Sequence, residues 1–279
     1  MTYVLCYNVT WYFKQIVHKI DGIRGNKMAI QELESIKVSI IMPAYNVSRH
    51  IEKTVNSVIR QTHTNWELLI VDDCSTDNTV EMIQDLHETD SRINVYELET
   101  NSGAAVARNK AIEQATGAYL AFLDSDDLWE AEKLEKQLTF MIENNYLFTS
   151  TNYIEVNEAT GETIGVVKSY PELDYEGLLK HCPGNSTVMY NVSELGKFYI
   201  PDIKKRNDFV MWLQVIKKAK KLYGLDENLT TYTIREGSLS KDKKDLVKYQ
   251  WTVYRDIEGL PFIKSLYLLL HKIISVLLK

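Results

Sequence analysis

Cysteine is scarce: three residues in 279, Cys6, Cys74 and Cys182, odd in number, far apart and without paired spacing. That excludes a disulfide framework and a zinc site, and it fits a reducing cytosol. No internal repeat or low-complexity tract is visible, which excludes a solenoid and a largely disordered chain. No G-x-G-x-x-G follows any predicted strand and no glycine-rich phosphate loop follows the first one, which argues against a dinucleotide-dependent dehydrogenase and a sugar-phosphate nucleotidyltransferase. The first 35 residues hold aromatics such as Tyr3, Trp11 and Phe13 but no clean apolar core with a cleavage site, so a signal peptide is not expected. The carboxyl-terminal apolar run is interrupted by Lys264, His271, Lys272 and Lys279, too often for a membrane span of roughly 20 apolar residues.

What is present is an ordinary globular composition, 45% hydrophobic and 25% charged, long enough for one large α/β domain with appendages. The net charge of −6 conceals an asymmetry: residues 1–196 carry 15 Lys+Arg against 29 Asp+Glu, and 197–279 carry 17 against 9. The two parts are therefore −14 and +8, and the basic end suggests attraction to an anionic membrane surface. The alternative is a terminal helix packed on the domain or on a second subunit. Residues 1–35 read as an extension. Arg24-Gly25-Asn26-Lys27-Met28 can be encoded as a purine-rich ribosome-binding sequence before a start codon, so translation is hypothesised to begin at Met28. An intact mass beginning at Met1 in the natively expressed protein refutes that; the rival reading is an interfacial amphipathic helix.

From Ile36 onward, predicted strands and helices alternate as in a parallel sheet covered on its faces. Val38 to Met42 forms a first strand, ended by Pro43; Trp66 to Val71 a second, ending in Asp72 and Asp73; Ile93 to Leu98 a third. Gly103 to Ala115 reads as a helix whose alanines permit close approach to a ligand or neighbour. Ala118 to Leu123 is a fourth strand, followed by Asp124-Ser125-Asp126-Asp127 and a helix from about Glu130. Acids at the carboxyl ends of such strands lie where open α/β sheets bind ligands. Asp124 and Asp126 point the same way if the backbone stays extended, and hard cations such as Mg or Mn take oxygen ligands of this kind. The plain alternative is a solvated turn that caps the next helix. Beyond Asn144 short strands, among them Tyr146 to Glu155 and Ser186 to Tyr190, replace the alternation, then come a helix over Phe209 to Ala219, strand over Leu229 to Ile234 and a helix over Lys241 to Ile257.

Pro43-Ala44-Tyr45-Asn46, Val71-Asp72-Asp73-Cys74-Ser75-Thr76-Asp77 and Phe122 to Asp127, in this order, resemble the inverting nucleotide-sugar glycosyltransferases of family 2, of GT-A type. The resemblance spans Ile36 to about Lys279, with a tail like that of bacterial enzymes building capsular, teichuronic or lipopolysaccharide-type polymers. It implies a GT-A fold in a single domain over 36–240, a Rossmann-like nucleotide half merged with a mixed-sheet acceptor half, then a helical, basic tail over 241–279. It implies that Ala44 and Tyr45 lie against uracil and ribose, with Pro43 setting the loop and Asn46 among the donor-binding residues, that Asp73 accepts from the uracil ring nitrogen, that Asp124 contacts the ribose or metal-bound water, and that Ser125 also binds the donor. Asp126, with Asp124, would ligate Mn or Mg bridging the diphosphate. Arg108 would touch donor phosphate, unless it is an exposed helix arginine in a surface ion pair, and Arg235 would reach the diphosphate from a closing loop. Arg206-Asn207-Asp208 resembles the acceptor-side motif whose second acid is the base; Asn207 departs from the acidic pair and leaves Asp208 as the candidate, the alternative being an N-cap. Trp212 reads as core rather than an acceptor wall.

The implied function is metal-dependent, inverting transfer of a sugar from a UDP-sugar to a hydroxyl of a lipid-linked surface-glycan acceptor, in the cytoplasm, with peripheral membrane contact through the last helix. No nucleic acid is expected as a partner. The rivals are a nucleotidyltransferase and an inactive glycan- or nucleotide-binding module.

Overall fold

The computed structural model describes residues 33–201, 203, 205–234 and 243–277. The chain divides into two units, 1–36 and 37–279. The hypothesised start at Met28 and the closing-loop Arg235 lie outside the described residues.

The second unit is organised on one ten-stranded mixed sheet. Its first half is β1 (Val38–Ala44), α1 (Ile51–Ile59), β2 (Trp66–Asp72), α2 (Thr79–Thr89), β3 (Ile93–Glu97), α3 (Ala104–Gln114) and β4 (Tyr119–Phe122). β1, β2 and β4 are buried at every position, so they read as near-continuous apolar runs rather than alternations, and the buried Ser39 and Glu67 that interrupt β1 and β2 satisfy each other by a hydrogen bond from Ser39 Oγ (2.6 Å). They pair parallel in the order β3-β2-β1-β4. α3 packs on β1 and β2, and its Ala105, Ala107 and Ala111 are buried there, so the small residues serve approach to the sheet.

The second half comprises β5 (Leu128–Trp129), α4 (Lys133–Glu143), β6 (Phe148–Asn157), β7 (Thr163–Val167), β8 (Glu172–Leu173), α5 (Tyr175–Lys180), a 3-10 turn over Asn185–Thr187, β9 (Met189–Asn191), α6 (Val192–Leu195), α7 (Asn207–Ala219) and β10 (Leu222–Ile234). β9 runs antiparallel between β4 and β6, and β10 returns parallel to β6. A Rossmann-like half thus continues into a mixed half within one sheet, the GT-A architecture expected. α7 lies in the core: Trp212 is fully buried, edge-on to Phe122 at 4.8 Å between ring centroids and 5.8 Å from Phe148. The chain ends in α8 (Lys243–Thr252), a π-helical turn over Val253–Ile257 and α9 (Phe262–Leu277), which pack on one another. Tyr254 in that turn is buried and donates its hydroxyl to the Leu179 carbonyl (2.6 Å), fixing the tail to α5.

Three local expectations are corrected. The first strand runs through Pro43 to Ala44, with Pro43 paired to Val71. The Ile41 carbonyl faces β4, accepting from the Leu123 N–H (3.1 Å), and Pro43, two residues on, faces the same side beyond the last pair, Ile41 with Phe122. Its missing donor therefore breaks no ladder bond. The segment at Ser186 is a 3-10 turn, with strand only from Met189. The helix expected from Glu130 is preceded by β5 and starts at Lys133.

Candidate active site

β1, β2 and β4 end together at one rim. Ala44 pairs with Asp72, the Asp73 N–H donates to the Ala44 carbonyl (2.9 Å), and β4 leaves its pairing with β1 at Phe122. Hydrogen bonds then join the loops that follow. Asn46, in the left-handed region at φ 51°, donates its N–H to Ser75 Oγ (2.9 Å) and accepts the Thr76 N–H at Oδ1 (2.8 Å). Ser75 in turn donates its N–H to Asp72 Oδ2 (2.8 Å). Asn tolerates that backbone conformation better than other non-glycine residues. Ala44 is buried, whereas Tyr45 is exposed and offers its ring to the rim.

Asp73 is buried, and its carboxylate accepts the N–H groups of Ser102 (2.6 Å) and Gly103 (2.7 Å). It thus ties the loop before α3 to the end of β2. A carboxylate offers about four acceptor directions, so these bonds leave capacity for a further donor. Gly103 has φ 91°, and a Cβ there would meet nothing within 4 Å. Its backbone angle is therefore what demands glycine.

The acidic segment is not extended. The Asp127 N–H donates to the Asp124 carbonyl (3.1 Å), closing a tight turn over Asp124–Asp127, so the extended backbone on which the two acids were expected to point the same way is not what the segment adopts. Asp124 and Asp126 are half-buried. Ser125 is buried, its carbonyl accepting from Thr54 Oγ1 (3.0 Å), so this expected donor-binding residue is anchored to α1. Asp127 caps no helix: it is fully buried, accepting from Ser186 Oγ (2.5 Å) and the Thr233 N–H (3.3 Å). Burial pushes its carboxyl well above the usual range, and the negative charges of Asp124 and Asp126 push the same way.

Arg108 is neither exposed nor in a surface pair. Its guanidinium is buried and donates to Asp124 Oδ1 (2.6 Å) and Asn207 Oδ1 (3.2 Å). Asn185 Nδ2 also donates to Asp124 Oδ1 (2.8 Å); Asp124 Oδ2 accepts no bond among the described residues. Asn207 opens α7, and its Oδ1 also accepts the Asp208 N–H (2.7 Å). Asp208 is therefore not the cap, a place taken by Arg206 at φ 63°; it stands half-buried in the first turn, where an acidic residue complements the helix dipole. Its charge is felt at Cys182, whose thiol is pushed up to about 12, first by burial and then by Asp208. The departure at Asn207 thus links the acidic turn, through Arg108, to the helix that carries Asp208.

Asn185 and Ser186 are site residues that sequence reasoning missed. Ser186 Oγ accepts the Asp124 N–H (3.0 Å), and the Ser186 carbonyl accepts from Trp129 Nε1 (2.7 Å). Their signal was the turn-forming run Pro183-Gly184-Asn185-Ser186, of which only Ser186 was assigned, as the start of a strand.

Among the described residues no three His, Cys, Asp or Glu side chains are grouped to hold a metal by themselves. Asp124 and Asp126 nevertheless fit a hard divalent cation, because Mg-type sites use one or two carboxylates completed by substrate phosphates. The field of these two acids, registered at Asp127, is of the sign such an ion offsets.

The sequence profile of glycosyl transferase family 2 matches residues 39–192. TuaG of Bacillus subtilis (strain 168), named as a glycosyltransferase of teichuronic acid biosynthesis, is 44% identical over 229 residues, 82% of this chain and 91% of its own. The Escherichia coli UDP-Glc:alpha-D-GlcNAc-diphosphoundecaprenol beta-1,3-glucosyltransferase WfgD is 36% identical over 254 residues, 88% of this chain and 95% of its own. The crystal structure of S. aureus TarS 1–349 in complex with UDP-GlcNAc superposes with a TM-score of 0.69 at 25% identity, covering 85% of this chain and 71% of that one. These matches leave no place for a nucleotidyltransferase. With a GT-A sheet, joined strand-end loops and a family profile covering more than half its length, the chain belongs to glycosyl transferase family 2 and is a glycosyltransferase.

Proposed function

We propose that this enzyme carries out inverting, metal-dependent transfer of a sugar from a UDP-sugar to a hydroxyl of a lipid-linked surface glycan, acting in the cytoplasm at the membrane face. One observation carries the reading: Asp208, first acid of α7, is joined through Asn207 and Arg108 to Asp124 of the acidic turn. A base and a donor-side carboxylate are thereby held in one frame. Support for donor and acceptor comes from relatives named for UDP-Glc and a diphosphoundecaprenol-linked sugar, and from a similar fold solved with UDP-GlcNAc. Among the described residues no helix is long and apolar enough to cross a membrane.

In this mechanism Tyr45 lies against the uracil, and Asp73, fixed by Ser102 and Gly103, accepts the uracil N–H at a remaining lone pair. Asn46 shapes the base-side loop through Ser75 and Thr76. Asp126 and Asp124 would hold Mn or Mg, which when bound offsets the charge on the departing diphosphate. Arg108 holds Asp124 in position by its hydrogen bond to Oδ1. Asp208 takes the proton from the acceptor hydroxyl as that oxygen attacks the anomeric carbon from the side opposite the leaving group, inverting the centre. Arg235 in the closing loop is proposed as a further diphosphate contact.

The test is UDP release from UDP-glucose and UDP-GlcNAc with and without Mn. Turnover that requires the metal is expected. Metal-independent turnover, or none from either donor by folded protein, counts against the proposal.

A further inference from the structure

The outward side of α9 is built the wrong way round for water. Over 262–275 the exposed residues are Phe262, Ile263, Leu266, Tyr267, Leu270 and Ile274, none of them charged. Ile263 is 82% exposed and Phe262 58%. At 100° per residue, Ile263, Leu266, Tyr267, Leu270 and Ile274 fall within an arc of about 100°, the width of a core-facing stripe. The polar residues lie elsewhere: Ser265 is buried beside Leu268, and Lys264, His271, Lys272 and Ser275 are half-buried. Val247 and Ile257 extend the exposed apolar surface, and Trp251 stands edge-on to Phe262 at 5.6 Å.

We propose that this face docks flat on an anionic lipid bilayer. Charge selects the lipid surface over a second copy of the chain. α9 contains Lys264, His271 and Lys272 and no acid, and 197–279 carries 17 Lys+Arg against 9 Asp+Glu, the reverse of the rest of the chain. At the patch edge Lys180 Nζ stands 5.6 Å over the Tyr267 ring, and Lys264 reaches Glu176 (2.6 Å). Lys264 is thus offset by Glu176, but Lys180 at that edge would meet its own copy if two such faces came together, whereas anionic headgroups would complement it beside the apolar strip, the arrangement of an interfacial helix. Phe262, Tyr267 and Trp251 are of the types that favour the interface. Sixteen residues at 1.5 Å each make about 24 Å, short of the roughly 30 Å hydrocarbon core, so the helix lies on the membrane rather than across it.

This placement also bears on the acceptor, a point that rests on the proposed function. α9 packs on α5, with the His271 and His181 rings 5.6 Å apart. Three residues, Cys182 to Gly184, lead from His181 to Asn185, which holds Asp124. The lipid-facing helix and the acidic turn are therefore joined by one short segment, so a membrane-borne acceptor would be presented from the docked side.

The full chain is sedimented with vesicles of phosphatidylcholine alone and of phosphatidylcholine with phosphatidylglycerol. Expected is binding to the anionic vesicles, lowered roughly tenfold or more in the Ile263→Glu/Leu270→Glu/Ile274→Glu variant and about fivefold for each of Lys180→Gln and Lys264→Gln. An unchanged thermal melt shows the variants folded. Equal binding by wild type and triple variant overturns the proposal, as does equal binding to neutral vesicles. A wild type that ignores both vesicles and is a dimer by light scattering, made monomeric by the triple substitution, assigns the face to self-association instead. If UDP-sugar turnover is absent while vesicle binding persists, the proposed function fails and the docking face stands.

Discussion

Asp208→Asn isolates proton transfer from everything else Asp208 does. The substitution keeps the size of the side chain and leaves the Asp208 backbone N–H on Asn207 Oδ1, so the first turn of α7 and its link to Arg108 stay in place. What is lost is a base and a negative charge. Removing a general base costs about 10²- to 10⁴-fold in rate, equivalent to roughly 2.7–5.4 kcal/mol of barrier at about 1.36 kcal/mol per decade. Removing a carboxylate from a half-exposed first turn costs only about 0.3–1 kcal/mol of stability, a few degrees at most in melting temperature for a chain of this size. Transfer, followed as UDP release with acceptor present, should therefore fall by two to four decades while UDP affinity by calorimetry and the melting temperature hardly move. A drop smaller than tenfold removes Asp208 from the role of base. A parallel loss of UDP affinity means that the residue acts on the donor side.

Asp126→Ala should abolish the Mn-dependent part of UDP binding, read by calorimetry with and without the metal, while Mn-free binding persists; equal Mn enhancement in the variant excludes Asp126 as a ligand. Lys133 is fully buried, its Nζ without a hydrogen-bond partner among the described residues and 3.7 Å above the Trp129 ring. The ring favours the charged ammonium, but burial dominates and depresses the pKa well below the usual lysine value. The unfolded chain thus binds this proton more tightly, so the protein should gain stability as pH rises from the depressed folded value towards about 10.4 and lose it as pH falls. Lys133→Met should flatten that slope in urea unfolding between neutral and alkaline pH, and an unchanged slope refutes the assignment. Trp212→Ala should cost about 3–5 kcal/mol, because the indole fills the space between Phe122 and Phe148 in a core with no solvent exposure; a loss below about 1 kcal/mol, as is usual for surface sites, would mean that the space collapses or is not core.

Elements whose signal is local could be read from the residues alone. β1, β2 and β4 are short buried runs, and their ends supply Asp72, Asp73 and Asp124 in family order, so the nucleotide half was legible from one pass along the chain. Apolar spacing likewise placed α1 and α7, since a helix writes its buried face into its own residues. Tertiary structure decided what depends on partners distant in sequence. Arg108 reads as a phosphate contact or a surface residue until the fold brings it against Asn207, 99 positions on. Asn185 and Ser186 look like turn residues until β9 inserts between β4 and β6 and sets them against Asp124 and Asp127. The pleat could not reveal that β10 returns parallel to β6, because side-chain alternation is the same for either direction of the neighbour. For α9 the pattern announced an apolar stripe, but only packing showed which face was turned outward: Ser265 and Leu268 were buried and Ile263 was left to solvent. Periodicity is a property of one segment, whereas a site and a surface are properties of segments brought together, and that juxtaposition is fixed by which faces bury one another.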